Sequence, residues 1–277
     1  RVYAYAEARL HYNKALELLH YLPDTPDTWT QLIDTTIKMA SVSVVAEDPE
    51  RILQQLTEVE PLARKLPGPD GAAGGDRLRL ARVHYWMGRS HFYRGSPAEA
   101  VGYYRQVLAV AQEASDEELL AIPSSMIGQA MITRGRFDQA LPLLGQALDP
   151  LEQTANWVEW IRCSAYYGIA LAAQGNYAEA LRRGERATAR ATELNHPTAV
   201  AVAYLLMAWI YFLGGDMPAM EEAARKAVRV ATATGDALTL FGGYGELAWA
   251  HTRLGRLRQA EANLAKMRTA ASKGQGP

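Results

Sequence analysis

Apolar side chains recur along most of the chain at the three- and four-residue spacing of amphipathic helices, in segments separated by short turns. Each turn begins with a glycine. These glycines follow one another at a constant step of 40 residues: Gly95, Gly135, Gly175, Gly215 and Gly255. The register predicts a repeat of two antiparallel helices joined at a glycine.

Small residues keep the same 40-residue step on both sides of each turn. Seven residues before the turn glycines lie Gly88, Gly128, Gly168, Ala208 and Ala248. Five residues after them lie Ala100, Ala140, Ala180, Met220 and Ala260. Glycine inside a helix costs about 1 kcal/mol relative to alanine, so the first series predicts close contact between paired helices.

The turn residues predict how the helices end and begin. Gly95 and its equivalents suit the left-handed conformation of a helix C-cap. The residues Ser96-Pro97-Ala98-Glu99 then form a capping box with proline at the first helical position. Residues 176–179, Asn176 to Glu179, repeat this box without the proline.

One unit shows a family pattern: Gly168, Leu171, Gly175, Tyr177, Ala180 and Ala187. This pattern resembles the tetratricopeptide repeat, although the usual unit has about 34 residues and this one has 40. The longer unit and the alanine- and arginine-rich texture resemble the repeat arrays of signal-transduction ATPases, maltose-regulator-like activators and ATPase-linked adenylate cyclases. The resemblance implies an all-α, right-handed superhelical solenoid in which each repeat packs on its neighbours.

Extending the register predicts about 13 helices in a single solenoid over residues 1–271. An orphan second helix covers 5–22, and six pairs follow at 29–66, 77–115, 117–154, 157–194, 197–234 and 237–271. Glycine and proline in 67–75 predict a flexible loop, and 272–277 are expected to be a disordered tail. Because the register starts in mid-repeat, we expect the sequence to be a piece of a longer protein.

Charge and cysteine content narrow the choice of partners. With 29 Lys and Arg against 30 Asp and Glu, the chain lacks the positive field that nucleic acid or an anionic membrane surface would attract. We therefore expect neither nucleic acid nor membrane as a partner. The single cysteine, Cys163, excludes an internal disulfide framework and fits the cytoplasm.

The sequence contains no recognisable catalytic motif. Its six histidines show no compact metal-ligand spacing, and Cys163 has no evident histidine partner. Neither a GxxxxGK[ST] loop nor a GxSxG elbow occurs. We expect a protein that is not an enzyme and that needs no metal or cofactor.

The resemblance implies that ligands meet the concave face formed by the first helices, at positions around the small residue of each first helix. Transferring these positions gives Arg82, Tyr85, Arg89, Phe92, Gln129, Arg162, Trp209, Phe212, Gly245 and Trp249. The N-terminal positions offer guanidinium and amide donors, and the C-terminal ones are aromatic. A peptide with an acidic group and an apolar or aromatic side chain would suit this gradient.

Structural interpretations of the same residues stay open. Trp209 and Trp249, expected to be neighbours, have the helical spacing of core residues, and a surface arginine needs no partner. The run Gly242-Gly243-Tyr244-Gly245 weakens its helix, so it marks either a frayed terminal repeat or a place where a ligand backbone comes close.

Two functions of different class follow. In the first, the array is a sensor: its groove binds a peptide, a protein or a small molecule and relays occupancy to an upstream domain of the same polypeptide. In the second, the array is a constitutive scaffold or self-assembly module whose aromatic residues bury against another chain. An exposed apolar groove would serve either function.

Overall fold

The computed structural model describes residues 2–43, 49–68, 76–114 and 117–274. In these residues it contains thirteen α-helices and no strand, so the predicted all-α class of paired helices is confirmed. The helices are α1 Val2–Leu19, α2 Pro26–Ser43, α3 Pro49–Lys65, α4 Arg77–Tyr93, α5 Pro97–Ala114, α6 Glu117–Thr133, α7 Phe137–Gln153, α8 Trp157–Ala173, α9 Tyr177–Glu193, α10 Pro197–Gly214, α11 Met217–Thr234, α12 Ala237–Arg253 and α13 Leu257–Gly274.

Two helix ends differ from the predicted bounds. Helix α1 ends at Leu19 rather than at Leu22, and α13 continues to Gly274, into the segment expected to be a disordered tail. Residues 69–75 of the predicted loop and 275–277 of the predicted tail lie outside the described residues.

The chain divides into two compact units, Arg1–Pro123 and Ser124–Pro277. The first unit holds α1 to α5, each packed on the next, and α2 also contacts α4. Its core forms where α2, α3 and α4 bring together Ile33, Leu56, Val83 and Met87. The predicted single solenoid over residues 1–271 stays a prediction.

The second unit is built in two layers. Helices α8, α10 and α12 are the first helices of successive pairs; α8 contacts α10, and α10 contacts α12. Each of them also packs on the second helix of its own pair, α9, α11 or α13. We call α8, α10 and α12 the first-helix layer.

The turn between α4 and α5 shows why the first helix of a pair ends. Gly95 has φ +83°, and its N–H donates to the carbonyl of Phe92 over 3.1 Å. The N–H of Ser96 donates to the carbonyl of His91 over 2.9 Å. The predicted left-handed cap is confirmed here and at the four other turn glycines, all of which have positive φ.

The predicted capping box at the start of α9 is wrong. The Asn176 side chain makes no capping hydrogen bond. The Glu179 carboxylate instead accepts hydrogen bonds from Arg182 and Arg183, each over 2.9 Å. Arginine donors on the same helix therefore compete successfully for the carboxylate that the box would need.

The small residues inside the first helices allow close contact within the pairs, as predicted. A Cβ atom on Gly88 would lie 2.6 Å from Cε1 of Tyr104 on α5. A Cβ atom on Gly128 would lie 2.5 Å from Cγ of Leu144 on α7. Both Tyr104 and Leu144 are fully buried, so neither can move aside without opening the core.

One described helix, Pro197–Gly214, has the length and apolar composition of a membrane-spanning segment, with a mean hydropathy of 1.7 over 18 residues. In the structure this helix is α10, which packs against α8, α9, α11 and α12. These contacts bury 39% of its residues, and most of the others are half-buried.

Replacing Gly88 by Ala should destabilise the fold, because its methyl group would overlap the ring of Tyr104. Overpacking of this kind lowers the free energy of unfolding by about 1–3 kcal/mol. The matched control is Gly102→Ala in α5, where a Cβ atom meets nothing within 4 Å. Helix propensity should there raise the free energy of unfolding by up to about 1 kcal/mol. Urea unfolding followed by circular dichroism measures both, and equal effects would contradict the close-contact explanation.

Candidate functional site

Helices α10 and α12 present a patch of large apolar side chains in the first-helix layer. Leu205, Trp209 and Phe212 lie on α10 and are half-buried. Phe241 and Trp249 lie on α12 and are 37% and 55% exposed. We call these five residues the aromatic face.

Glycines bring α12 close to its neighbours. A Cβ atom on Gly242 would lie 3.1 Å from Cδ2 of Leu205, and one on Gly243 would lie 2.7 Å from Cγ2 of Val228 on α11. The glycine run does not fray its helix, since α12 is continuous over Ala237–Arg253. The close approach of a ligand backbone to this run stays a prediction.

Gly245, predicted to line the ligand groove, is half-buried. A Cβ atom there would lie 3.4 Å from Sδ of Met267 on α13, so this position packs on the last helix. Its place in a ligand groove stays a prediction.

The rings of Phe212 and Trp249 join the two helices. Their centroids are 5.7 Å apart and the planes meet at 71°, the edge-to-face arrangement that aromatic pairs favour. The predicted neighbour of Trp249 was Trp209, but its ring partner is Phe212. The pair leaves more than half of Trp249 open to solvent.

Glu246 lies on α12 between Gly242 and Trp249. As a residue it is half-buried, but its Oε2 is fully buried and has no hydrogen-bond partner among the described residues. Burial raises the pKa of this carboxyl well above its usual range. A buried oxygen without a partner costs folding free energy, so the position is not explained by stability.

Two of the predicted ligand donors are held by a buried carboxylate in the second unit. Nε2 of Gln129 donates to Oε1 of Glu159 over 2.9 Å and contacts Oγ of Ser125 at 3.0 Å. Nη1 of Arg162 lies 3.6 Å from Oε2 of Glu159. Gln129 and Arg162 thus pair with their own chain.

In the first unit, Arg89 lies in an aromatic setting. It is buried, and it donates to the hydroxyls of Tyr85 over 3.1 Å and Tyr93 over 2.7 Å. Phe92 packs edge-on against Tyr93, with centroids 5.8 Å apart. Arg82 is exposed. Of the predicted ligand residues, Arg82, Tyr85, Arg89 and Phe92 belong to the first unit and the others belong to the second.

Comparisons with known proteins agree with this architecture. Residues 79–153 match the family model described as tetratricopeptide repeat. Residues 79–153 therefore carry tetratricopeptide-type repeats. A search of curated proteins finds no match to the sequence.

Solved structures share the fold of the array at low sequence identity. A Rap protein complexed with Competence and Sporulation Factor has a TM-score of 0.74 at 13% identity, over 99% of this chain and 78% of that one. NprR in complex with its cognate peptide NprX has a TM-score of 0.72 at 15% identity, over 97% and 74%.

A signal-transduction ATPase with a tetratricopeptide repeat sensor, from Pyrococcus horikoshii, has a TM-score of 0.56 at 16% identity, over 93% of this chain and 39% of that one. Identities this low establish the fold alone.

Sequence reasoning missed Glu246, although the repeat register contains a signal for it. The position two residues before the small residue of the first helix holds Trp86, Met126, Tyr166 and Leu206 in the four preceding pairs, and Lys38 in the pair 29–66. Met126 and Leu206 are buried. A carboxylate in this column is therefore an exception that a comparison of the repeats could have found.

The cysteine and two buried histidines already have hydrogen-bond partners within their own chain. Cys163 is buried, its thiol donates to the carbonyl of Leu144 over 3.3 Å, and burial raises its pKa to about 12. Nε2 of His84 pairs with Glu60 at 2.9 Å, and Nε2 of His251 pairs with Glu221 at 3.0 Å. Among the described residues, no group of three or more His, Cys, Asp or Glu could hold a metal ion.

Glu246→Gln should stabilise the array at neutral pH. Because the pKa of Glu246 is higher in the folded than in the unfolded state, ionisation favours unfolding. The wild type should therefore lose stability as pH rises from the usual glutamate range through the raised pKa, and Gln does not titrate. We expect Tm at pH 7 to rise by about 2 °C or more, the change that ~1 kcal/mol gives in a chain of this size.

Thermal melts at pH 7 and pH 4 check this expectation, since the difference between wild type and variant should shrink at the lower pH. Glu261→Gln, at an exposed glutamate of the same helix pair, is the control and should leave Tm unchanged. A lower Tm for Glu246→Gln at pH 7 would contradict the assignment of a costly buried carboxyl.

Proposed function

We propose that the array is a non-enzymatic binding module whose aromatic face takes up a peptide, and that this occupancy is the signal it senses. The observation that carries the proposal is the exposure of Trp249, 55%, on the same helix as Phe241, which is 37% exposed. Large aromatic side chains that stay exposed to solvent within the first-helix layer are anchors of the kind that supply most of the binding energy in protein interfaces.

The chemistry of the face suits a peptide. Tryptophan and phenylalanine offer large contact areas with few rotatable bonds, so they lose little entropy when a ligand docks. Leu205 and Phe212 on α10 and Trp249 on α12 lie on adjacent helices, so apolar side chains along an extended peptide can contact both. The folds of Rap and NprR, both solved with a bound factor or peptide, support this choice of ligand.

The proposal includes a relay to an upstream signalling domain of the same polypeptide in the cytoplasm. Its support is the sequence resemblance to the arrays of signal-transduction ATPases, together with the shared fold of the ATPase whose tetratricopeptide repeats are described as a sensor. The acidic ligand group expected from Arg82, Arg89 and Arg162 is not part of the proposal, because Arg89 and Arg162 already contact their own chain.

Trp249→Ala should weaken peptide binding at least tenfold, since it removes the most exposed ring of the face. Peptides are selected on the wild-type protein from a phage-displayed random dodecapeptide library, synthesised, and titrated with fluorescence anisotropy. Trp209→Ala should also weaken peptide binding. Leu264→Ala, at a leucine 43% exposed on α13, is the matched control and should stay within twofold of wild type.

Light scattering during the same titrations separates the peptide groove from a self-assembly surface. A monomeric chain with a Trp249-dependent affinity supports the proposal. Association that grows with protein concentration and disappears in Trp249→Ala would replace it with the scaffold, in which the aromatic face buries against a second copy.

A further inference from the structure

Glu246 lies on the side of α12 that meets α10. Gly242, four residues before it, contacts Leu205, and Trp249, three residues after it, contacts Phe212. Residues three and four apart share one side of a helix, so the carboxyl of Glu246 lies between these two contacts. It therefore borders the aromatic face.

Packing does not require a carboxylate at this place. The equivalent positions of the four preceding pairs hold Trp86, Met126, Tyr166 and Leu206, and the pair 29–66 has the exposed Lys38 there. The buried Met126 and Leu206 fill space between helices with apolar atoms. A leucine at 246 would continue that pattern and avoid the cost of a buried charge. The presence of an acid here therefore indicates that Glu246 serves binding rather than stability.

The other buried carboxylates of the second unit have partners on their own chain. Glu159 accepts hydrogen bonds from Gln129 and Ser125. Glu221 pairs with His251 at 3.0 Å, with Arg256 at 2.9 Å and with Arg225. Glu246 is different: the buried Oε2 has no partner within the described part of the chain.

We infer that Glu246 is the specificity-determining residue for a cationic side chain, arginine or lysine, of the peptide that docks on the aromatic face. This inference rests on the proposed function and deepens it. Because Glu246 as a residue is only half-buried, a guanidinium or ammonium group can approach the carboxyl from its solvent side and give it the charged partner that the fold withholds. The rings of Trp249 and Phe212 beside it would add cation–π attraction and contact with the apolar stem of the side chain.

The experiment selects dodecapeptides from the same displayed library on wild type and on Glu246→Gln. Wild type should enrich arginine or lysine at one fixed peptide position. Replacing that residue by citrulline, or by glutamine where it is lysine, should weaken wild-type binding at least tenfold. The same replacement should change the affinity of Glu246→Gln less than twofold, because this variant lacks the carboxylate that favours the cationic peptide over its neutral analogue.

Glu261→Gln is the control and should keep the full preference for the cationic peptide. Thermal melts of Glu246→Gln show that any loss of preference is not loss of folding. If selected peptides bind wild type but tolerate citrulline or glutamine, the inference about Glu246 is overturned and the peptide groove stands. If the library yields no binder for wild type, the proposed function fails and the inference fails with it.

Discussion

The close approach of two paired helices at one small residue is the contact on which the rest of the structure depends. Gly88 against Tyr104 and Gly128 against Leu144 leave no room for a methyl group. Large, fully buried side chains on the second helix thus enter the space that glycine leaves on the first. This fixes how each first helix is rotated, and so decides which of its residues point to neighbouring helices and which remain available.

The same register gives different surfaces in different repeats because side-chain size changes along it. One residue after the small position, Ile169 is fully buried, whereas Trp249 is more than half exposed. The glycines of α12 allow it to lie against Leu205 and Val228. Rings too large for the remaining space then stay at the surface, and this is the physical origin of the aromatic face.

The buried carboxylates of the second unit separate into those that hold the structure and Glu246, which destabilises it. Glu159 and Glu221 are buried but collect donors from neighbouring helices, which compensates for the water they lose. The Oε2 of Glu246 collects none, and burial raises the pKa of its carboxyl. Natural proteins commonly keep such destabilising groups where binding needs them, because selection acts on function above a stability threshold.

The sequence alone determined the repeat, the all-α class, the number of helices, the turn glycines and the need for close contact inside each pair. These follow from short-range periodicity and backbone conformation, which the residues of one segment specify. Only the tertiary structure decided that Gln129 and Arg162 meet Glu159, that Trp249 meets Phe212, that Gly245 faces Met267 and that Glu246 lacks a partner. The contacts of Gln129 and Trp249 depend on distances between helices from different repeats, and the contact of Gly245 depends on the distance between the two helices of the last pair. Those distances are set by the packing of all the side chains between the helices.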